Sequence, residues 1–175
     1  MLLQDDRIRL RAMEPEDLEA MYRWENDTSL WHLGDTTRPF SHEALRAFIE
    51  GASLDLYAAR QVRLMIALIS SGETIGCADL FAFDPFNRRA GVGILIYAPS
   101  QRRRGYASAA LRLMAEYAFG HLDMRQLWAD VPVSNTASLR LFEGAGFSST
   151  AVKKRWVRTA DGNDYEDACF MQLFR

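Results

Sequence analysis

At 175 residues, about half of them apolar and a quarter charged, the chain is long enough for one domain, residues 1–175, with a sizeable core. A formal net charge of −2 argues against general nucleic-acid binding, and no apolar run is long enough to span a membrane. The opening Met1-Leu2-Leu3-Gln4-Asp5-Asp6 is too short and acidic for a signal peptide, so a cytoplasmic location is expected.

Arg7-Ile8-Arg9-Leu10-Arg11 alternates as a half-buried strand does. Glu14-Pro15-Glu16-Asp17 reads as a helix start, with acids toward the positive end of the dipole. Leu18, Met21 and Tyr22 give that helix its apolar face, and Trp24-Glu25-Asn26-Asp27 ends it. Ser41 is an N-cap for a second helix through Leu45, Phe48, Ile49 and Ala52. The period then changes. Val62–Ile69 and Thr74–Phe83 form a hairpin across Ser70-Ser71-Gly72-Glu73, and Asp84-Pro85-Phe86-Asn87 turns into a strand from Ala90 to Tyr97.

After that strand comes Ser100-Gln101-Arg102-Arg103-Arg104-Gly105-Tyr106-Ala107-Ser108, and then a helix with apolar residues at Ala107, Ala110, Leu111, Met114, Tyr117 and Ala118. A basic turn with one glycine that opens a helix aims unpaired N–H groups at whatever sits there, and a phosphate suits it. Gln126–Val131 is a further strand, Asn135 caps a short helix through Leu139 and Phe142, and Gly144-Ala145-Gly146 stops it. Two last strands, Ser149–Arg158 and Tyr165–Phe174, flank the turn Asp161-Gly162-Asn163. The expected class is α/β (α+β), a mostly antiparallel mixed sheet of about seven strands with helices on both faces. Cys77 and Cys169 have neither metal-like nor redox-like spacing and read as reduced thiols; His32, His42 and His121 have no metal-like spacing either, so no metal is expected.

Two segments carry a family resemblance. Arg102-Arg103-Arg104-Gly105-Tyr106-Ala107 resembles the Gln/Arg-x-x-Gly-x-Gly/Ala turn of the GNAT N-acetyltransferases. Asn135-Thr136-Ala137-Ser138-Leu139-Arg140-Leu141-Phe142-Glu143-Gly144-Ala145-Gly146-Phe147 is similar to that family's second signature. Arg9-Leu10-Arg11, Trp24-Glu25-Asn26-Asp27 and Asn87-Arg88-Arg89-Ala90 look like the subgroup of ribosomal-protein N-terminal and spermidine acetyltransferases.

The resemblance implies a GNAT fold and an acetyltransferase that uses acetyl-CoA as co-substrate. The pyrophosphate would lie on the backbone of Arg103, Arg104, Gly105, Tyr106 and Ala107, with Arg102 and Ser108 beside it; Gly105 would leave the phosphate's place free. The pantetheine arm would pair with Ile94-Leu95-Ile96-Tyr97, so Leu95, Ile96 and Tyr97 are cofactor-site candidates. Asn135 either contacts that arm or caps its helix. Ser138 is implied at the leaving thiolate, or is a first-turn hydroxyl. Many relatives have a tyrosine where Phe142 stands and a glutamate where Gly91 stands, so the acid and base of those relatives are missing. Asp79 is then either a base acting through water or an ordinary strand residue.

The acceptor would be a small-molecule amine, a polyamine such as spermidine first, then a peptide N-terminus, then an amine-bearing antibiotic. Glu16, Glu25, Asp27, Asp164, Glu166 and Asp167 supply acids on that side. The competing reading is a non-catalytic acyl-CoA-binding module. Neither nucleic acid nor membrane is an expected partner, and homo-oligomers are common in the family.

Overall fold

The computed structural model describes residues 3–33, 36–52 and 55–175. Strand β1 (Ile8–Arg11) is followed by a 3-10 turn (Pro15–Asp17) and helix α1 (Leu18–Glu25). Asp17 keeps the expected helix-start role, in a capping box with Glu14, and adds an ion pair to it. It turns inward and is clamped by Arg11 at 2.7 and 2.8 Å, while Glu14 N–H donates to it at 2.9 Å. Helix α2 (His42–Gly51) begins at the expected cap, with Ser41 Oγ accepting from Ala44 N–H. A four-residue helix α3 (Leu56–Ala59), capped by Asp55 and closed by Arg60 at φ +56°, was too short to leave a periodic signature.

Strands β2 (Val62–Leu68), β3 (Thr74–Asp84) and β4 (Arg89–Ile96) make the expected meander. Helix α4 (Tyr106–Gly120), strand β5 (Gln126–Pro132), helix α5 (Thr136–Gly144) and the hairpin of β6 (Ser148–Arg158) and β7 (Tyr165–Phe174) complete the chain. One seven-stranded sheet results, in the order β1-β2-β3-β4-β5-β7-β6. Every neighbouring pair is antiparallel except β4 and β5. Those two are parallel because α4 returns the chain across the sheet, which a hairpin turn cannot do.

Alternation sorts the side chains by face. Leu80, Ala90, Val92, Leu127, Ala129 and Met171 pack under α4 through Ala110, Leu111, Leu113 and Met114 in the main core. On the opposite face Met65 and Cys77 meet Met21, Trp24, Leu45 and Ile49, so α1 and α2 cover the β2–β4 half. The β5–β7–β6 half of that face carries Trp128, Asp130, Phe170 and Lys153, and among the described residues no helix covers it.

Candidate active site

The parallel pair sets the site. Strands β4 and β5 are in register only where Arg89, Ala90 and Gly91 oppose Gln126, Leu127 and Trp128. Beyond Gly91 and Trp128 they part, and a wedge opens toward their C-terminal ends. The helices that follow each strand, α4 and α5, both begin at the mouth of that wedge. A crevice at the carboxyl ends of parallel strands, with helix N-termini aimed at it, is where α/β proteins hold ligands.

Backbone direction says which groups face the wedge. Tyr97 N–H donates to Ile75 O at 3.0 Å, so Tyr97 is turned toward β3. By alternation Leu95 also faces β3, and Ile94 and Ile96 present their N–H and C=O groups to the gap. This corrects the expectation for Leu95 and Tyr97: of Leu95, Ile96 and Tyr97, only Ile96 has backbone available to an added strand. The Tyr97 ring instead packs on Trp24, with centroids 5.3 Å apart.

The basic turn is built from within. Arg102 does not reach outward: its Nε donates to Ile96 O at 3.0 Å and its Nη2 to Tyr97 O at 3.0 Å, tying the turn to the end of β4. Arg103 at φ +60° and Gly105 at φ +80° give the two left-handed steps that bend the chain into α4. Among the described residues, the backbone N–H groups of Arg103, Arg104, Gly105, Tyr106, Ala107 and Ser108 have no hydrogen-bond partner; the first bond of the helix runs from Ala109 N–H to Gly105 O. Six such donors in a row fit a pyrophosphate. Arg7, which sequence reasoning missed, donates from Nη1 to Arg104 O at 3.1 Å and lies over the Tyr106 ring. A Cβ on Gly105 would approach Arg7 Nη1 at 3.1 Å, so the glycine answers to φ and to Arg7. A groove of about 720 Å³ runs between α4 and the end of α5, past Ser108, Arg112 and Phe119 to Gly144 and Phe147, with Arg112 held by Asp5 and Glu116.

At α5, Asn135 Oδ1 accepts from Ser138 N–H at 3.1 Å, which makes it the cap. Ser138 Oγ has no hydrogen bond among the described residues and stands in the first turn of α5. Phe142 is 6% exposed and packs edge-on against Phe147 at 5.0 Å, so it serves the core. The Phe81 ring lies where a Cβ on Gly91 would go, which explains why no larger residue stands there.

Asp79 lies with Phe81 on the sheet face opposite α4, in the half that α1 and α2 cover. Arg63 holds it by two bonds, Nε to Oδ1 at 2.7 Å and Nη2 to Oδ2 at 3.0 Å, and a third arm of the same guanidinium reaches Glu25 Oε1. Both Asp79 oxygens already accept from arginine, so its place in the structure is an anchor between β3, β2 and α1. Burial works against the Arg63 charge, yet the Asp79 and Glu25 carboxylates outweigh it and hold the guanidinium more firmly protonated than usual. Beneath them Cys77 is pushed up to about 12, first by burial and then by the Asp79 charge. A cavity of about 520 Å³ beside Asp79 is lined by Phe40, Phe48, Phe81, Arg63 and Arg38. Most of the acids expected to draw a cation are engaged: Asp27 by Ser29, Asp164 by Arg155, Glu166 by Ser134 and Asp167 by Lys154.

Sequence reasoning also missed Asp130. It is the first residue of β5 on the open face after pairing with β4 ends. Its Oδ2 accepts from Lys153 Nζ at 2.7 Å, and its Oδ1 is buried without a partner among the described residues. Buried carboxylate oxygens are rarely left so, and one at the mouth of a crevice marks a place for a proton or a donor. The available signal was a lone charge in the apolar run Leu127-Trp128-Ala129-Asp130-Val131, just ahead of the Asn135 cap.

Fold and site together define an acyltransferase that takes its acyl group from coenzyme A. The chain belongs to the acetyltransferase (GNAT) family, whose domain model matches residues 7–148. It is 28% identical over 142 residues to the spermidine N(1)-acetyltransferase of Escherichia coli (strain K12), covering 81% of this chain and 73% of that protein. It is 26% identical over 172 residues to the aminoglycoside N(6')-acetyltransferase type 1 of Klebsiella pneumoniae, covering 90% of this chain and 80% of that protein. The fold is that of the spermidine N-acetyltransferase from Vibrio cholerae solved in complex with CoA and spermine, with a TM-score of 0.83 at 20% identity over 97% of this chain and 96% of that one.

Proposed function

We propose that the protein transfers acetyl from acetyl-CoA to the primary amine of a small polyamine-like acceptor, directly and within a ternary complex. The observation that carries this reading is Asp130 Oδ1, unpartnered at the mouth of the wedge, on the sheet face opposite α4 and α5. Acetyl-CoA, the second substrate, supplies an activated thioester. The N–H groups of Arg103 to Ser108 hold its pyrophosphate, and the backbone of Ile94 and Ile96 aligns the arm that leads to the thioester. Asp130 takes the proton from the incoming ammonium, and the Ser138 hydroxyl is free to donate toward the departing sulfur.

The acceptor class is supported by the pocket. Asp79 and Glu25 share the Arg63 guanidinium, and beside them Phe40, Phe48 and Phe81 line a cavity that Arg38 also borders. A linear amine can set its reacting ammonium at Asp130 and lay its methylenes along the Phe40, Phe48 and Phe81 rings. The likeness to a spermidine acetyltransferase supports the same class. The buried, thiol-form Cys77 supports direct transfer over an acetyl-enzyme.

The test follows thiol release from acetyl-CoA with spermidine, spermine, an aminoglycoside and a peptide bearing a free N-terminus. Turnover on the polyamines is expected to be fastest. Tight acetyl-CoA binding with no turnover on any amine would replace the enzyme reading with that of a binding module. Asp130→Asn is expected to lower kcat by about 10²–10⁴-fold while acetyl-CoA affinity stays within about twofold.

A further inference from the structure

Lys153 and Lys154 are the only lysines in the chain, against nineteen arginines among its 21 basic residues. They are neighbours on β6 and are placed very differently. Lys154 reaches outward to Asp167 at 2.7 Å with its side chain 78% exposed. Lys153 turns onto the open face, where its Nζ sits 4.8 Å from the Phe170 ring centroid, 4.9 Å from Trp156 and 5.9 Å from Trp128. The same nitrogen donates to Asp130 Oδ2.

This enclosure is built by a distortion. The β6–β7 register shifts between Lys153 and Val157, with Arg155 at φ +49°. The two extra residues of β6 bring Trp156 to the Lys153 side of the strand, and Asp167 Oδ1 fixes the bulge by accepting from Arg155 N–H at 2.9 Å. A primary ammonium is thus held among three rings and against the carboxylate at the wedge mouth. That is the chemistry an acceptor amine must meet, met here by a side chain of the protein itself.

We propose that Lys153 is a self-acetylation site. The inference rests on the reading that acetyl-CoA presents its thioester in the β4–β5 wedge. Asp130 takes a proton from the Lys153 ammonium. The freed Nζ bonds to the acetyl carbon, the carbon–sulfur bond breaks, and coenzyme A leaves as a thiolate that is then protonated. The amide that forms carries no charge, so the Asp130 ion pair and the three ring contacts are lost, and the seat is left to an external ammonium. Lys154, bound to Asp167 on the outer side, has neither the rings nor Asp130.

The experiment uses the full chain without any amine. After the mass of the purified protein is read, acetyl-CoA is added and intact mass is followed. A gain of one acetyl group is expected, mapped by peptide analysis to Lys153, with a first-order rate constant that does not change on dilution of the protein. Lys153→Arg is expected to abolish the gain, and Asp130→Asn to slow it at least tenfold. Tryptophan emission is expected to change with the same time course, because two indoles lose their cation. An unmodified Lys153 in a protein that binds acetyl-CoA by calorimetry and turns over an external amine overturns self-acetylation alone. Equal modification of Lys153 and Lys154, at the rate seen for the denatured chain, also overturns it, as uncatalysed chemistry. No binding of acetyl-CoA overturns the wedge reading and this proposal together.

Discussion

Asp17 shows what a single buried carboxylate does for this fold. Burial alone would raise its pKa, but the Arg11 hydrogen bonds, with help from Glu14 N–H and Thr74, hold it below the usual aspartate value of 3.8. A folded value below the unfolded one means that the stabilisation is complete above 3.8 and is lost as pH falls through the lower, folded value. Asp17→Asn is expected to cost about 3–5 kcal/mol at pH 7, because it leaves the Arg11 charge partly buried and uncompensated. Urea unfolding at pH 7 and near pH 2–3 checks this, and the gap between variant and wild type should narrow at the acid end. Cys77 gives a second expectation at this scale. With its thiol pushed up to about 12 by burial, it should resist Ellman's reagent in the native protein at pH 8 and react only after unfolding. Rapid native labelling of Cys77 would contradict the buried placement. Single residues were also the hardest to read from sequence. Asp79 and Asp130 are both acids in strands, and which one is clamped by arginine depends on Arg63 in β2 and Lys153 in β6, far away along the chain.

Elements were more legible, because their signals are local. The Ser41 and Asn135 caps, the meander from Val62 to Ile96 and the Asp161-Gly162-Asn163 hairpin all follow from neighbouring residues, and the strands fall within a residue or so of expectation. What was missed has no local signature: helix α3 is a single turn, and the β6 bulge is fixed by Asp167 on the partner strand. The turn into α4 was legible as an anion site, but the roles of its side chains were not, since Arg102 folds back and Arg7 arrives from β1's end of the sheet. Gly105→Val tests the turn as an element. A β-branched residue at φ +80° costs roughly 1–2 kcal/mol and pushes on the Arg7 guanidinium, which is side chain and can give way. Far-UV circular dichroism should therefore stay native, while acetyl-CoA affinity measured by calorimetry falls at least tenfold. Unchanged affinity would place the pyrophosphate elsewhere.

At the scale of the molecule, the sheet is two antiparallel blocks, β1–β4 and β5–β7–β6, joined by a short parallel seam and bridged by α4. A ligand that lies in the wedge touches β4 and α4 on one side and the start of α5 on the other, so binding should couple the blocks. Any ligand that binds only the folded state stabilises it by mass action, about 2.7 kcal/mol at a hundredfold excess over Kd. For a domain of this length that corresponds to a rise in Tm of roughly 5–10 °C. Acetyl-CoA is expected to produce such a rise, and hydrogen exchange should slow in Val92–Ile96 and at the start of α5 as well as in the Arg103–Ser108 turn. Protection limited to the turn, with the edges of the wedge exchanging as before, would mean that the phosphates dock without the arm entering the gap. In that case Ile94 and Ile96 could not align the thioester, and neither an external amine nor Lys153 would find an acyl group beside Asp130.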